Sequence, residues 1–300
     1  MGAPMQGVQT DSKQGLISAV IAYTLWGLFP VYFVATEAVP TLEILAHRIA
    51  WSLPFGALIL LLRRQVRDTL AILAQPRTLG LLGLASVALA ANWGVYIYAI
   101  QIDQIFQGSL GYYINPLLNV LVGVLLFKER LSRAQGLAIA LAAAGVAVLT
   151  VYGGQFPAIA LFLACSFATY GVLRKIIAVG AMPGLMIEVL VLIGPAVAYM
   201  IWLRRSGGLV FGSGSGTLDL LLLAAGPITV LPLLAFAYAA RRIRLSTLGV
   251  LQFIGPTMQF GFGLYYGEPF TRAHALCFAL IWTGVAVFAW DAWRLSRRTA

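Results

Sequence analysis

Ile114-Asn115-Pro116 stands in an apolar run that ends at Glu129, followed by Ser132-Arg133-Ala134 and by Gly145-Val146-Ala147-Val148. The chain writes this series a second time, as Ile254-Gly255-Pro256, Glu268, Thr271-Arg272-Ala273 and Gly284-Val285-Ala286-Val287. Glutamate and Gly-Val-Ala-Val are 16 residues apart in both copies, and the step from proline to glutamate differs by one residue. The echo continues upstream. Tyr98-Ala99 answers Tyr238-Ala239, the residues Ala38, Pro40, Leu42 and Ile44 answer Ala181, Pro183, Leu185 and Ile187, and Trp26-Gly27 answers Tyr170-Gly171. Offsets drift only from 144 to 139, so a chain of 300 residues divides into two similar halves rather than a solenoid of short repeats.

Hydrophobic residues make up 61% of the chain and charged ones 10%, with a mean hydropathy of +0.90. A membrane helix needs ~20 apolar residues to cross the hydrocarbon. The pattern predicts ten such spans, at 14–36, 40–62, 78–100, 104–126, 134–151, 157–177, 183–203, 218–240, 245–266 and 272–293. Residues 1–12 are small and polar without the apolar core of a signal peptide, and they read as a disordered tail. Two connectors are longer than the rest: Arg63–Arg77, which is basic, and Arg204–Thr217, which is rich in Gly and Ser and reads as flexible. Cys165 and Cys277 fall in separate apolar runs, so neither a disulfide nor a metal framework is implied.

The net charge of +10 would suggest nucleic acid in a chain without spans, but here topology accounts for it. With the N-terminus inside, Lys13, Arg63, Arg64, Arg67, Arg77, Lys128, Arg130, Arg133, Arg174, Lys175, Arg241, Arg242, Arg244, Arg294, Arg297 and Arg298 fall on the inner side, which is 16 of the 20 basic residues. Arg204, Arg205 and Arg272 fall outside, and Arg48 lies within a span. Such a bias over short loops orients both termini to the cytoplasm. Five spans per half is an odd number, so the second half enters the membrane from the opposite face. The expected fold is an all-α integral membrane protein of ten transmembrane helices, in two inverted five-helix repeats at 14–153 and 154–293, with tails at 1–13 and 294–300. Inverted repeats are a transporter architecture in which substrate sits near the midplane between the halves.

Several stretches together resemble the EamA family of the drug/metabolite transporter superfamily, and its RarD subgroup in particular. They are Glu43-Ile-Leu-x-His47-Arg48-x-x-Trp51-Ser52, Asn92-Trp93, Ser109-Leu-Gly-Tyr-Tyr-Ile-Asn-Pro-Leu-x-Asn119, Tyr170-Gly-x-x-Arg174-Lys175, Arg244-Leu-Ser-Thr-Leu-Gly249, Gln252-Phe-Ile-Gly-Pro-Thr257 and Tyr266-Gly-Glu268. One departure is Lys128, where the family often has glycine before the glutamate. The resemblance implies a permease for metabolites or drugs in a bacterial inner membrane.

Ionisable residues inside a span cost ~2.5–3.5 kcal/mol or more to insert, so they face a cavity or a partner. The second span carries Glu43, His47 and Arg48, with Glu43 and His47 one helical turn apart on the same face. Glu188 is the other carboxylate well inside a span. These residues read as a polar site for a charged substrate, or as internal ion pairs of Glu43 or Glu188 with Arg48 that only lock helices. Asn92, Trp93 and Tyr96 share a face of the third span, Tyr112 and Tyr113 lie in the fourth above Asn115 and Asn119, and Gln252 opens a stripe with Pro256 and Gln259 in the ninth. Amides in hydrocarbon must find partners, so helix-to-helix adhesion is the alternative for them. Prolines 30, 54, 116, 195, 227, 232 and 256 interrupt helical positions and permit bends.

The candidate substrate-binding set is therefore Glu43, His47, Arg48, Asn92, Trp93, Tyr96, Tyr112, Tyr113, Glu188 and Gln252. Glu43, His47 and Glu188 are the candidates for proton coupling. No nucleotide-hydrolysis motif is present, which leaves a secondary transporter driven by a gradient. The competing readings are an intramembrane enzyme and a ligand-gated channel or receptor. With only His47 and His274 in the chain, no multi-histidine metal site is available to an enzyme. The expected partners are a small-molecule substrate and the lipid bilayer, without nucleic acid or cofactor, and the expected state is a monomer.

Overall fold

A computed structural model describes residues 12–128 and 131–298. The expected N-terminal tail lies outside the described residues except for Ser12 and Lys13, as do Glu129 and Arg130 of the repeat and charge patterns and residues 299–300 of the C-terminal tail. Among the described residues the secondary structure is helical: α1 (Lys13–Gly27), α2 (Phe29–Ala35), α3 (Thr41–Leu62), α4 (Val66–Leu73), α5 (Pro76–Gln101), α6 (Ile105–Phe127), α7 (Arg133–Val151), α8 (Ala158–Ile176), α9 (Ala181–Ser206), α10 (Gly216–Ala239), α11 (Leu245–Leu251), α12 (Ile254–Tyr265) and α13 (Arg272–Arg298). Among the described residues nine spans, with α1 and α2 taken together, are long and apolar enough to cross a membrane. The expected span at 245–266 is divided between α11 and α12.

Proline chemistry explains that division. Pro256 has no N–H to give the carbonyl of Gln252, and its ring crowds that carbonyl. The helix accordingly breaks at Gln252–Phe253 and restarts at Ile254. Pro30 acts in the same way between α1 and α2. The carbonyl of Trp26, one turn before Pro30, accepts a hydrogen bond from Gln259 Nε2 of α12 at 3.2 Å. The two broken helices are thus joined by a backbone acceptor that a proline releases.

Helix contacts close a ring in the order α1, α10, α3, α9, α5, α8, α6, α12 and back to α1. Within a mostly apolar interior, Glu43, His47, Arg48, Asn92 and Glu188 are buried, while large apolar residues such as Leu61, Leu125, Val151 and Leu220 are exposed. An apolar exterior suits a hydrocarbon surround.

Helices α7 and α13 pack on each other beside the ring, and the duplicated Gly-Val-Ala-Val motif makes their crossing. A Cβ on Gly145 would come within 3.0 Å of the Cys277 carbonyl of α13, and one on Gly284 within 2.9 Å of the Ala138 carbonyl of α7. Each copy of the motif supplies the gap into which the other helix fits, so the backbones approach as small residues allow in membranes.

The departure at Lys128 has a conformational cost. Lys128 ends α6 with φ 54° and ψ 31°, the left-handed cap that glycine adopts without strain. Replacing it (Lys128→Gly) should stabilise the protein by about 1 kcal/mol, measured as a rise in the thermal midpoint of the purified protein in detergent.

Candidate functional site

The first turn of α3 places Glu43 at one end of the ring, fully buried. Its carboxylate accepts the Val210 N–H at 3.0 and 3.1 Å and the Phe211 N–H at 2.9 Å. Val210 and Phe211 belong to the connector between α9 and α10, which the sequence marks as flexible. The connector is instead folded over the mouth of the ring. The Phe211 ring packs on His47 at 4.8 Å, and the Gly212 N–H donates to Asp219 Oδ1 at 2.7 Å. Gly and Ser leave backbone N–H groups uncovered, and a buried carboxylate collects them.

One turn along α3, Trp51 Nε1–H donates to His47 Nδ1 at 3.0 Å. The neutral ring assigned from that bond carries its proton on Nε2, which lies 3.9 Å from Glu43 Oε1 and has no hydrogen-bond partner. Burial and the i, i+4 spacing bring the pair together without a formed hydrogen bond.

Arg48 lies deeper, 2% exposed. Among the described residues no carboxylate lies within ion-pair distance of it, so the lock with Glu43 or Glu188 is not formed. Its Nε donates to Thr229 Oγ1 of α10 at 3.1 Å, and its Nη1 is buried without a partner. Its Cζ sits 4.4 Å from the Trp93 ring, 5.4 Å from Phe29 and 5.5 Å from Phe33. Tyr32, Tyr96 and Tyr112 are near enough to feel its charge. Tyr96 and Tyr112 stack edge to face at 5.3 Å, and the buried Tyr96 hydroxyl has no partner. Beyond Arg48, on the side away from the connector, Trp93, Ser52, Thr229 and Met186 line a cavity of about 20 Å³, room for little more than one water.

Other predicted residues lie elsewhere. Asn92 turns to α8, donating to the Leu163 carbonyl at 2.9 Å and to Ser166 Oγ at 3.0 Å. Tyr113 points away from Tyr112, bonding Thr257 Oγ1 at 2.7 Å among Phe253, Phe278 and Trp282. Gln252 closes the break before α12 by donating to the Gly249 carbonyl at 2.9 Å. Glu188 forms a separate cluster at the other end of the ring, 3.4 Å from Arg174 Nη1 and accepting from the Tyr170 hydroxyl at 3.3 Å. Glu268 of the repeat motif accepts the Phe106 N–H at 2.8 Å, capping α6. Outside the spans, burial there pushes the Glu268 carboxyl above its usual range, against the opposing backbone bonds.

Sequence reasoning did not assign Phe29, Phe33, Trp51, Thr229 or the connector backbone to the site. Trp51 stands four residues after His47 and Phe33 four after Phe29, a spacing that places each pair on one helix face. No sequence signal marks Thr229.

A ring of apolar helices with a charged, aromatic-walled site sealed inside it defines a multi-pass membrane protein with a buried polar centre. An uncharacterized transporter of Vibrio cholerae is 44% identical over 94% of each chain, and the RarD protein of Escherichia coli is 40% identical over 97% of this chain and 98% of its own. The EamA-like transporter family matches residues 13–151. The chain belongs to that family, in its RarD subgroup. A Pseudomonas aeruginosa relative described as a chloramphenicol-sensitive RarD protein is 31% identical over 96% of this chain and 98% of its own. One crystal structure shares the fold at a TM-score of 0.61 and 22% identity, covering 94% of this chain and 98% of its own.

Proposed function

We propose that the protein is a secondary transporter of small organic molecules in a bacterial inner membrane. It would work by alternating access between two inverted five-helix halves, with both termini cytoplasmic. The ninth span is then the broken pair α11 and α12, and discontinuous helices are a recurrent feature at transporter sites. The observation that carries the reading is the seal over Arg48. The connector at 207–215 closes the outer mouth on Glu43, while the small cavity lies on the inner side of Arg48. A channel needs a continuous path, and this centre is closed at its outer end by a specific bond set.

Glu43 and His47 are the proposed proton carriers, with Glu188 as second candidate. A proton arriving on Glu43 competes with the connector amides for the same oxygens, which would couple protonation to outer opening. His47 accepts a second proton only when Trp51 leaves Nδ1. The test uses everted membrane vesicles enriched in the protein and incubated with a cytosolic small-molecule extract, with and without an imposed pH gradient. Solutes retained beyond those in vesicles without the protein, and in greater amount with the gradient, are the expected result. Identical solute profiles with and without the protein would remove the transporter reading. Retention that ignores the gradient, or that responds to it unchanged in the Glu43→Gln and His47→Gln variants, would remove the proton pair.

A further inference from the structure

The unsatisfied groups at Arg48 specify a ligand. A guanidinium keeps its charge and offers five N–H donors, and burying it without a counter-charge is costly. Thr229 takes Nε, and aromatic rings supply part of the missing solvation by cation–π contact. Nη1 remains free, and so does the hydroxyl of Tyr96 in the same cluster. Both free groups are hydrogen-bond donors, and among the described residues no carboxylate lies within ion-pair distance of Arg48.

We propose that Arg48 and Tyr96 receive the carboxylate of a singly charged organic acid whose flat, apolar body packs among Phe29, Phe33 and Trp93. This rests on the transporter reading and names the substrate class of that site. Charge balance sets the valence. One carboxylate neutralises the one guanidinium, a dianion would bring an uncompensated charge into an apolar surround, and a cation would repel it. Geometry sets the head group. With Nε engaged, the free end of the guanidinium is the Nη edge, and a carboxylate meets that edge with two parallel hydrogen bonds. The walls set the body, because a planar ring presents its edge or face to aromatic neighbours as they do to each other in the cluster of Phe33, Tyr96 and Tyr112. The Glu43 carboxylate is turned to the connector amides and is outside ion-pair distance of Arg48. The cavity beside Arg48 reaches Trp93 but not Phe29 or Phe33 and is far smaller than such an acid, so binding requires the surrounding helices to part.

The test measures binding to the purified full-length protein by ligand-dependent thermal shift. The probes are phenylacetate and indole-3-acetate as acids, phenylacetamide as the neutral isostere, phenethylamine as the cation and phenylalanine as the zwitterion. The acids are expected to bind about 10- to 100-fold more tightly than the amide or the amine, the range of a charge-assisted hydrogen bond. In Arg48→Gln the advantage of acid over amide should vanish, while Arg48→Lys should retain part of it. Equal binding of phenylacetate and phenylacetamide to the unaltered protein overturns the proposal, as does tighter binding of phenylalanine than of either acid, or no binding of either acid. That comparison needs no variant, so it decides even if Arg48→Gln does not fold. If acids bind through Arg48 but vesicles move no solute, the transport reading falls and the anion site stands. If vesicles move solute without preference for acids, only the substrate class falls.

Discussion

Removing the Glu43 carboxylate (Glu43→Ala) should release the connector that covers the site. Three N–H contacts converge on that carboxylate from Val210 and Phe211, and among the described residues no other acceptor serves those two amides. Hydrogen bonds to a charged group contribute about 1.5–3 kcal/mol each, so losing the shared acceptor should raise the opening of the connector by roughly 10- to 100-fold or more. Hydrogen–deuterium exchange of the peptide spanning residues 207–215 reads this directly, because an amide exchanges through the opened state. Glu43→Gln keeps one acceptor oxygen and should fall between the two. Exchange at Val210 and Phe211 that stays as slow in Glu43→Ala as in the unaltered protein would show that Phe211 packing, rather than Glu43, holds the connector.

The second large effect is expected at the opposite end of the ring. Glu188 is 1% exposed at its side chain and has two polar partners, Arg174 and the Tyr170 hydroxyl. Arg174→Ala leaves a carboxylate buried without its counter-charge, a change that costs about 3–5 kcal/mol in buried pairs. The lower end applies here, since Arg174 is itself partly open at 18% exposure. Removing both charges (Arg174→Ala with Glu188→Gln) should restore most of the loss. Gly184→Ala should cost much less than Arg174→Ala, because a Cβ at Gly184 would meet the far end of the Arg174 side chain, which can swing aside and keep its charge. Thermal midpoints of the three variants in detergent check this, and a double variant no more stable than Arg174→Ala would show that charge burial is not the cause.

Nine of the expected spans were legible because each is a long, mainly apolar run between polar connectors, a signal that survives any tertiary arrangement. The break in the ninth was foreshadowed by Pro256, whose missing N–H acts locally. Direction around a helix was harder. Tyr112 and Tyr113 are neighbours in sequence, yet about 100° of rotation sends one toward Tyr96 and the other toward Thr257. Asn92 and Trp93 part in the same way, one to α8 and one to Arg48. The buried charge on Arg48 could be read from sequence, but its surroundings could not, since they come from α2, α5 and α10 and depend on helix register. Least legible was the connector at 207–215. Its composition is that of a free loop, and its order comes from a carboxylate more than 160 residues earlier in the chain.

The crossing of α7 and α13 also bears on how the protein is made. Helix α7 is complete at Val151, but the helix that fills its notch at Gly145 begins only at Arg272. At synthesis rates of about 5–20 residues per second, that interval of roughly 120 residues lasts on the order of 6–24 s. During it, the groove on α7 faces lipid or the insertion machinery rather than its mate. Helix α13 therefore completes a contact whose other side was made about 120 residues earlier. A chain truncated before α13 would present that bare groove to membrane proteases, however well the ring of eight had already closed.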